Sequence, residues 1–120
     1  MAKILLAEDD ESMRRFLAKA LERAGHAVDA VGDGIDALTA LLSDDYDLLL
    51  ADIVMPGLDG IELARRASAD DPRLRIMLIT GFAAVALQAR DQQIDRTRVL
   101  SKPIHLRDLV DQVDTMLAVS

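Results

Sequence analysis

Acidic residues directly follow two short apolar runs of this 120-residue sequence. Glu8 and Asp9 come after the run at residues 4–7, and Asp52 comes after the run at residues 48–51. Two carboxylates held about 4 Å apart repel each other by roughly 4 kcal/mol at an effective dielectric constant of about 20, so carboxylates brought together here would need a cation. Oxygen ligands without His or Cys select a hard ion, and we therefore expect Mg²⁺ at these residues.

A hydroxyl and an amine follow two further apolar runs. Thr80 comes after the run at residues 76–79, and Lys102 comes shortly after the run at residues 99–100. Together with the acids they could bind a phosphoryl group on or beside Asp52, because the hydroxyl donates a hydrogen bond and the ammonium supplies a positive charge. Each residue alone has an ordinary structural explanation. The chemical prediction depends on all four segments meeting at one place in the fold.

Apolar residues at three- and four-residue spacing predict helices between the apolar runs. These helical stripes lie within residues 13–24, 35–42, 61–67 and 106–117. Gly25 follows the first stripe, where a helix commonly ends in a left-handed residue, and Asp10 precedes it as a candidate N-cap. Asp59 and Glu62 have the spacing of a capping box and predict the start of the third helix.

Five apolar runs predict strands at residues 4–7, 27–31, 48–51, 76–79 and 99–100. Such near-continuous apolar runs indicate strands buried on both faces, as in a parallel sheet with helices on either side. We predict an α/β fold of five βα units, (βα)5, whose doubly wound parallel sheet has the flavodoxin-like strand order 2-1-3-4-5. In that order strands 1 and 3 are neighbours. Glu8, Asp9 and Asp52 would then converge at the carboxyl edge, where such sheets bind ligands.

Composition excludes several other kinds of protein. The chain has 14 Lys and Arg against 21 Asp and Glu, a net charge of −7, which argues against nucleic acid or an anionic membrane as a partner. It has no Cys, which excludes disulfides and thiol catalysis. No apolar stretch is long enough to span a bilayer, and we expect one cytoplasmic domain over residues 1–120. His26 and His105 lack partners at ligand spacing and are expected at the surface rather than on a metal.

Four segments resemble the response-regulator receiver domain of two-component signalling. They are residues 3–10 (KILLAEDD), 48–60 (LLLADIVMPGLDG), 79–81 (ITG) and 100–103 (LSKP). The acid pair, the Asp-x-x-Met-Pro motif, the threonine and the Lys-Pro pair are specific in combination, in this order and spacing. The resemblance covers the whole chain.

This resemblance implies that Asp52 accepts a phosphoryl group from a histidine kinase or a histidine phosphotransfer protein. It also implies that Mg²⁺ is bound by Glu8, Asp9, Asp52 and the Val54 backbone carbonyl. Thr80 and Lys102 would contact the phosphoryl group. A cis bond between Lys102 and Pro103, usual in the family, would aim the lysine inward.

Within this family, three segments resemble single-domain regulators that control proteolysis by a AAA+ protease in the bacterial cell cycle. They are residues 51–57 (ADIVMPG), 79–87 (ITGFAAVAL) and 100–110 (LSKPIHLRDLV). No output domain is expected after the last helix, so the output would be contact with another protein. The apolar segment 81–89 is the expected contact surface, for a partner or for a second copy in a weak homodimer.

Three residues depart from common receiver patterns. Val99 stands three residues before Lys102, where many receivers carry a Tyr or Phe that swings inward on activation. Val54 and Phe82 stand two residues after the phosphoacceptor and two after the threonine. Neither side chain can orient an attacking water, so we expect an aspartyl phosphate that hydrolyses slowly.

Three alternatives share part of these features. A phosphatase resembling the haloacid dehalogenases needs Asp-x-Asp at its nucleophile, and the third residue here is Val54. A flavodoxin-like electron carrier needs hydroxyls and free N–H groups after strand 1 rather than a run of acids. An unphosphorylated pseudo-receiver would not need all the site positions filled. We therefore expect no enzyme with turnover, but a protein that phosphorylates itself from phosphodonors and slowly loses the phosphate.

Overall fold

Five strands form one parallel sheet in the computed structural model, which describes residues 2–81, 97–102 and 105–118. The strands are β1 (Lys3–Ala7), β2 (Ala27–Val31), β3 (Leu48–Asp52), β4 (Arg75–Thr80) and β5 (Thr97–Ser101). Their order across the sheet is β2-β1-β3-β4-β5, and every neighbouring pair is parallel. The α/β fold and the strand order predicted from the apolar runs are confirmed.

Four helices are described: α1 (Glu11–Arg23), α2 (Gly34–Ser43), α3 (Gly60–Asp70) and α4 (Leu106–Ala118). The predicted N-caps are present, because the Asp10 carboxylate accepts a hydrogen bond from the Met13 N–H at 3.0 Å and the Asp59 carboxylate accepts one from the Glu62 N–H at 2.9 Å. Gly25 follows α1 with a φ of 99°, as expected for a left-handed residue after a helix. The helix expected between β4 and β5 falls within residues 82–96, outside the described residues.

The core has two layers, one on each face of the sheet. Successive residues of β1 alternate between them, because side chains of a strand point to opposite faces. Ile4 and Leu6 pack with α1 and α4, whereas Leu5 packs with α2 and α3. All five residues of β3 are buried, as expected for the middle of the sheet. No helix among the described residues is long and apolar enough to cross a membrane.

The prediction that every strand is buried on both faces is wrong for β2. Three of its five residues are exposed and two are partly buried. The reason is that β2 lies at the edge of the sheet and has a neighbour on one side only. Its central residue, Asp29, accepts a hydrogen bond from the Tyr46 hydroxyl at 2.7 Å, and a charged side chain at an edge opposes pairing with another chain.

The loop between β3 and α3 packs closely against α2 and against the end of β3, and a glycine lies at each of these two contacts. A Cβ added to Gly34, the first residue of α2, would lie 1.8 Å from the Leu58 carbonyl oxygen. A Cβ added to Gly60 would lie 2.6 Å from the carbonyl oxygen of Asp52. These close approaches hold the loop against α2 and against the end of β3, and so help to place Asp52.

We expect the Gly34→Ala variant to lose about 3 kcal/mol of unfolding free energy, because the added methyl group would collide with backbone that a rotamer change cannot move. Gly25→Ala is the matched control. Gly25 has open space around it but a positive φ, so its loss should be only about 1–2 kcal/mol. Urea unfolding of both variants measures the difference. An equal or smaller loss for Gly34→Ala would contradict the tight packing at Leu58.

Candidate functional site

The sheet register places the acidic segments next to each other. Ala7, the last residue of β1, is paired with Ala51 of β3, so the residues that follow them, Glu8 and Asp52, lie at the same edge. The neighbouring strands end close by, since Asp52 pairs with Ile79, one residue before Thr80. The carboxyl ends of β1, β3 and β4 therefore meet at one place.

Three carboxylates converge at this edge. Glu8, Asp9 and Asp52 each offer an oxygen, and these oxygens all lie within 4.8 Å of one another. Glu8 is 1% exposed and Asp52 is 8% exposed, whereas Asp9 is open to solvent. Burial of two of the acids makes their repulsion stronger than it would be in water.

Lys102 supplies a positive charge to the two buried acids. Its Nζ lies 3.2 Å from Oδ2 of Asp52 and 4.0 Å from Oε2 of Glu8. The backbone N–H of Lys102 donates to the Thr80 carbonyl at 2.7 Å, which holds the residue beside the end of β4. Within the described part of the chain, one ammonium therefore faces two carboxylates and neutralises only part of their charge.

The Glu8 carboxylate is only partly satisfied. Oε1 accepts a hydrogen bond from the Asp10 N–H at 3.2 Å, whereas Oε2 is buried and has no hydrogen-bond partner among the residues that the structure describes. Burial, followed by the charge of Asp52, raises the pKa of Glu8 to about 7. The cause is that water has been removed from a carboxylate that faces another carboxylate.

These features fit a divalent cation with oxygen ligands. Mg²⁺ binds through carboxylates, backbone carbonyls and water, and a buried carboxylate oxygen without a partner is a suitable ligand atom. The backbone N–H of Val54 donates to Oδ1 of Asp52 at 3.1 Å and fixes the orientation of that carboxylate. A role for the Val54 carbonyl stays a prediction, as does the contact of Thr80 with a phosphoryl group. Thr80 itself is fully buried at the end of β4.

Val99 lies in the core on the α2 and α3 face of the sheet and is 7% exposed. Val54, two residues after Asp52 in the sequence, is 50% exposed. Phe82, the Lys102–Pro103 bond and most of the expected contact surface at 81–89 lie outside the described residues.

The two histidines differ. His105 is exposed, as predicted, whereas His26 is partly buried, so the prediction of a surface residue holds only in part for His26. The His26 side chain is only 9% exposed, its Nδ1 accepts from the Ala2 N–H, and its Nε2 lies 2.8 Å from Oδ1 of Asp114. His26 thus ties the start of the chain to α4, a contact 88 residues apart that no local pattern could indicate.

Arg14 is a residue near the site that the sequence analysis missed. Its Nη1 donates to the Glu8 backbone carbonyl at 2.9 Å, while the neighbouring Arg15 forms an exposed ion pair with Glu11 at 2.7 Å. Two adjacent arginines at the start of a helix look alike in a sequence. Only the rotation of α1 about its axis distinguishes them.

The family model for the response regulator receiver domain matches residues 4–114. The chain belongs to this family. It is 57% identical over 117 residues to the response regulator receiver protein CpdR of Brucella abortus, with 98% of each chain covered. This identity confirms the resemblance to single-domain receiver regulators. The chain is also 36% identical to the transcriptional regulatory protein TctD of Salmonella typhimurium, but it spans only 51% of that protein.

Solved structures agree with this assignment. A response regulator receiver protein from Sinorhizobium medicae superposes with a TM-score of 0.90 at 31% identity, covering 98% of this chain and 94% of the other. The response regulator TrrA of Thermotoga maritima, solved in complex with Mg²⁺ and BeF, superposes with a TM-score of 0.87 at 27% identity, covering 97% and 99%. Receiver domains are signalling modules that interact with histidine kinases and output partners.

Protons and a cation should compete for the Glu8 carboxylate. Because burial raises the pKa of Glu8 to about 7, we expect the affinity for Mg²⁺ to fall by about tenfold for each pH unit below 7 and to be level above pH 8. Isothermal titration calorimetry across this range measures the effect. The control variant Glu8→Gln should bind Mg²⁺ more weakly and lack this pH dependence. A wild-type affinity that does not change between pH 6 and pH 8 would count against the site.

Proposed function

We propose that this receiver domain is phosphorylated on Asp52 in the presence of Mg²⁺ and signals through contacts with other proteins. The observation that carries the proposal is the environment of Asp52. Its buried carboxylate accepts a hydrogen bond from the Val54 N–H, lies 3.2 Å from the Lys102 ammonium, and adjoins two further acids. A carboxylate held in this way has a fixed orientation for attack on an incoming phosphorus atom.

In the transfer step, an oxygen of Asp52 forms a bond to the phosphorus of a phosphohistidine, and the bond from that phosphorus to the imidazole nitrogen breaks. The bonding electron pair leaves with the histidine nitrogen, which takes up a proton. Glu8, Asp9, Asp52 and the Val54 carbonyl would hold Mg²⁺, which neutralises charge on the carboxylates and on the phosphoryl oxygens when it is bound. The product is a covalent aspartyl phosphate, not a released compound.

The new charge would change the partners of Lys102. Before transfer its ammonium lies 3.2 Å from Asp52 and 4.0 Å from Glu8. A phosphoryl group adds strong acceptor oxygens, so Lys102 would move to them and the Thr80 hydroxyl would donate to them. Thr80 directly precedes the expected contact surface at 81–89, so its movement would reach that surface.

We propose a stand-alone, cytoplasmic regulator of one domain, a monomer or a weak homodimer. The proposal of one domain is supported by the 57% identity to CpdR, with 98% of each chain covered. The phosphodonor would be a histidine kinase or a histidine phosphotransfer protein. The output partner would be a component of a AAA+ protease, a proposal supported by the three segments that resemble the proteolysis regulators.

The family assignment disfavours a phosphatase that turns over small phosphate esters. The activities proposed for the chain alone are self-phosphorylation from small phosphodonors and slow self-dephosphorylation. An unphosphorylated pseudo-receiver is disfavoured by the carboxylate cluster, because retaining two buried acids beside a third is costly unless a cation and a phosphoryl group use them.

Incubation with acetyl phosphate and Mg²⁺ should add the mass of one phosphoryl group to the wild-type chain and none to Asp52→Asn. Asp45→Asn changes an exposed acid that precedes the amino end of β3, whereas the cluster lies at the carboxyl end of that strand, and it should behave like the wild type. Lys102→Met should slow the reaction by on the order of 10²-fold, because it removes a positive charge aimed at the transferred group. Intact-mass spectrometry over time gives both results. Phosphorylation of Asp52→Asn at the wild-type rate would refute the proposal.

The phosphate should be long-lived because Val54 and Phe82 offer no polar group to orient a water molecule. We expect Val54→Asn and Phe82→Glu each to shorten the half-life of the phosphorylated chain, measured by the decay of the added mass in Mg²⁺ after the phosphodonor is removed. Val54→Ala is the control, since it changes size without adding a polar group. Rapid decay of the wild type, unchanged in Phe82→Glu, would contradict this explanation.

A further inference from the structure

We infer that Arg14 is a positioning residue for the cation site, acting through the main chain of Glu8. The inference rests on the proposed function, because it concerns the site in which Glu8 would hold Mg²⁺. Its basis is the hydrogen bond from Nη1 of Arg14 to the Glu8 carbonyl oxygen at 2.9 Å. Arg14 therefore touches the residue that supplies a ligand and leaves the ligand atoms free.

Glu8 lies one residue beyond the end of β1, so pairing within the sheet does not by itself fix its orientation. Its backbone N–H donates to the Val31 carbonyl at 3.1 Å, and its backbone carbonyl accepts from Arg14. With the backbone held on both sides of its Cα, the Cα–Cβ direction of Glu8 is set. From this direction the buried carboxylate reaches the other acids of the cluster.

The choice of acceptor matters for cation binding. An arginine bound to the carboxylate itself would compete with a cation for the same oxygens. Because Arg14 bonds the carbonyl, Oε2 of Glu8 remains without a hydrogen-bond partner and available to an ion. Groups that orient the residues holding a metal commonly change the metal affinity by about 10–100-fold when they are replaced.

Gly32 offers a second way to disturb the same contact. A Cβ added at Gly32 would lie 3.1 Å from Nη1 of Arg14, closer than ordinary van der Waals contact. The guanidinium thus lies against the bare backbone of the loop that follows β2. In Gly32→Ala the guanidinium would have to shift by a few tenths of an ångström, which would disturb its hydrogen bond to the Glu8 carbonyl without replacing Arg14.

Arg15 is the matched control on the same helix. It is exposed and pairs with Glu11 at 2.7 Å. Replacing Arg15 changes the net charge by the same amount as replacing Arg14, at an adjacent position. Any difference between the two variants therefore reports the contact with Glu8 and not the loss of a positive charge.

The test is the dissociation constant for Mg²⁺, measured by isothermal titration calorimetry at pH 8 on the wild type, Arg14→Met, Arg14→Lys, Gly32→Ala and Arg15→Met. Thermal unfolding of each variant identifies those that remain folded. We expect binding about 10–100-fold weaker for Arg14→Met, intermediate weakening for Arg14→Lys and for Gly32→Ala, and a change within about twofold for Arg15→Met. Partial recovery by lysine is expected because it can offer one donor to the carbonyl.

The inference is overturned if every folded variant at Arg14 or Gly32 binds Mg²⁺ as tightly as the wild type. It is also overturned if Arg14→Met and Arg15→Met weaken binding equally, since that result would be a general effect of charge. Failure of the proposed function looks different, because the wild type itself would then bind no Mg²⁺, or Asp52→Asn would bind it as well as the wild type does.

Discussion

Electrostatic repulsion among three carboxylates at one edge of the sheet is the constraint on which the rest of this structure depends. Glu8 and Asp52 are buried, and Asp9 adjoins them from the solvent side. One ammonium, that of Lys102, faces the buried pair. Burial beside Asp52 raises the pKa of Glu8 and leaves its Oε2 without a hydrogen bond from the described residues. A divalent cation bound among these carboxylates would lower the free energy of the site, because it would neutralise part of their charge.

The fold maintains this unfavourable arrangement by surrounding it with contacts that cannot easily relax. The acids follow the two adjacent strands at the centre of the sheet, where side chains pack on both faces. The close approach at Gly60 holds the following loop against the end of β3, and the Val54 N–H orients the Asp52 carboxylate. On the other side, Arg14 holds the main chain of Glu8. The packing energy of the core offsets the cost of the charged edge, as is common for functional sites.

Much of the site could be predicted because receiver residues occupy strand ends, and strand ends are visible as the boundaries of apolar runs. The apolar runs predict Glu8, Asp52 and Thr80 at strand ends, and the structure has them there. The predictions that were wrong, or that held only in part, concern long-range contacts. An edge position leaves three of the five residues of β2 exposed, and the contact with Asp114 leaves His26 only partly exposed. Neither the position of a strand at the edge of the sheet nor the distant partner of a side chain can be recognised from the periodicity of the sequence.

The sequence by itself determined the order of strands and helices, the parallel α/β class and the chemical types present at the strand ends, because these follow from local periodicity and from residue identity. Tertiary structure decided which groups are close enough to interact: the 3.2 Å contact of Lys102 with Asp52, the orphaned oxygen of Glu8, and the choice of Arg14 over Arg15 as the partner of its carbonyl. The physical reason is that burial and hydrogen bonding depend on the rotation of helices and on the register of strands. Both are set by packing of the whole chain and not by any one segment.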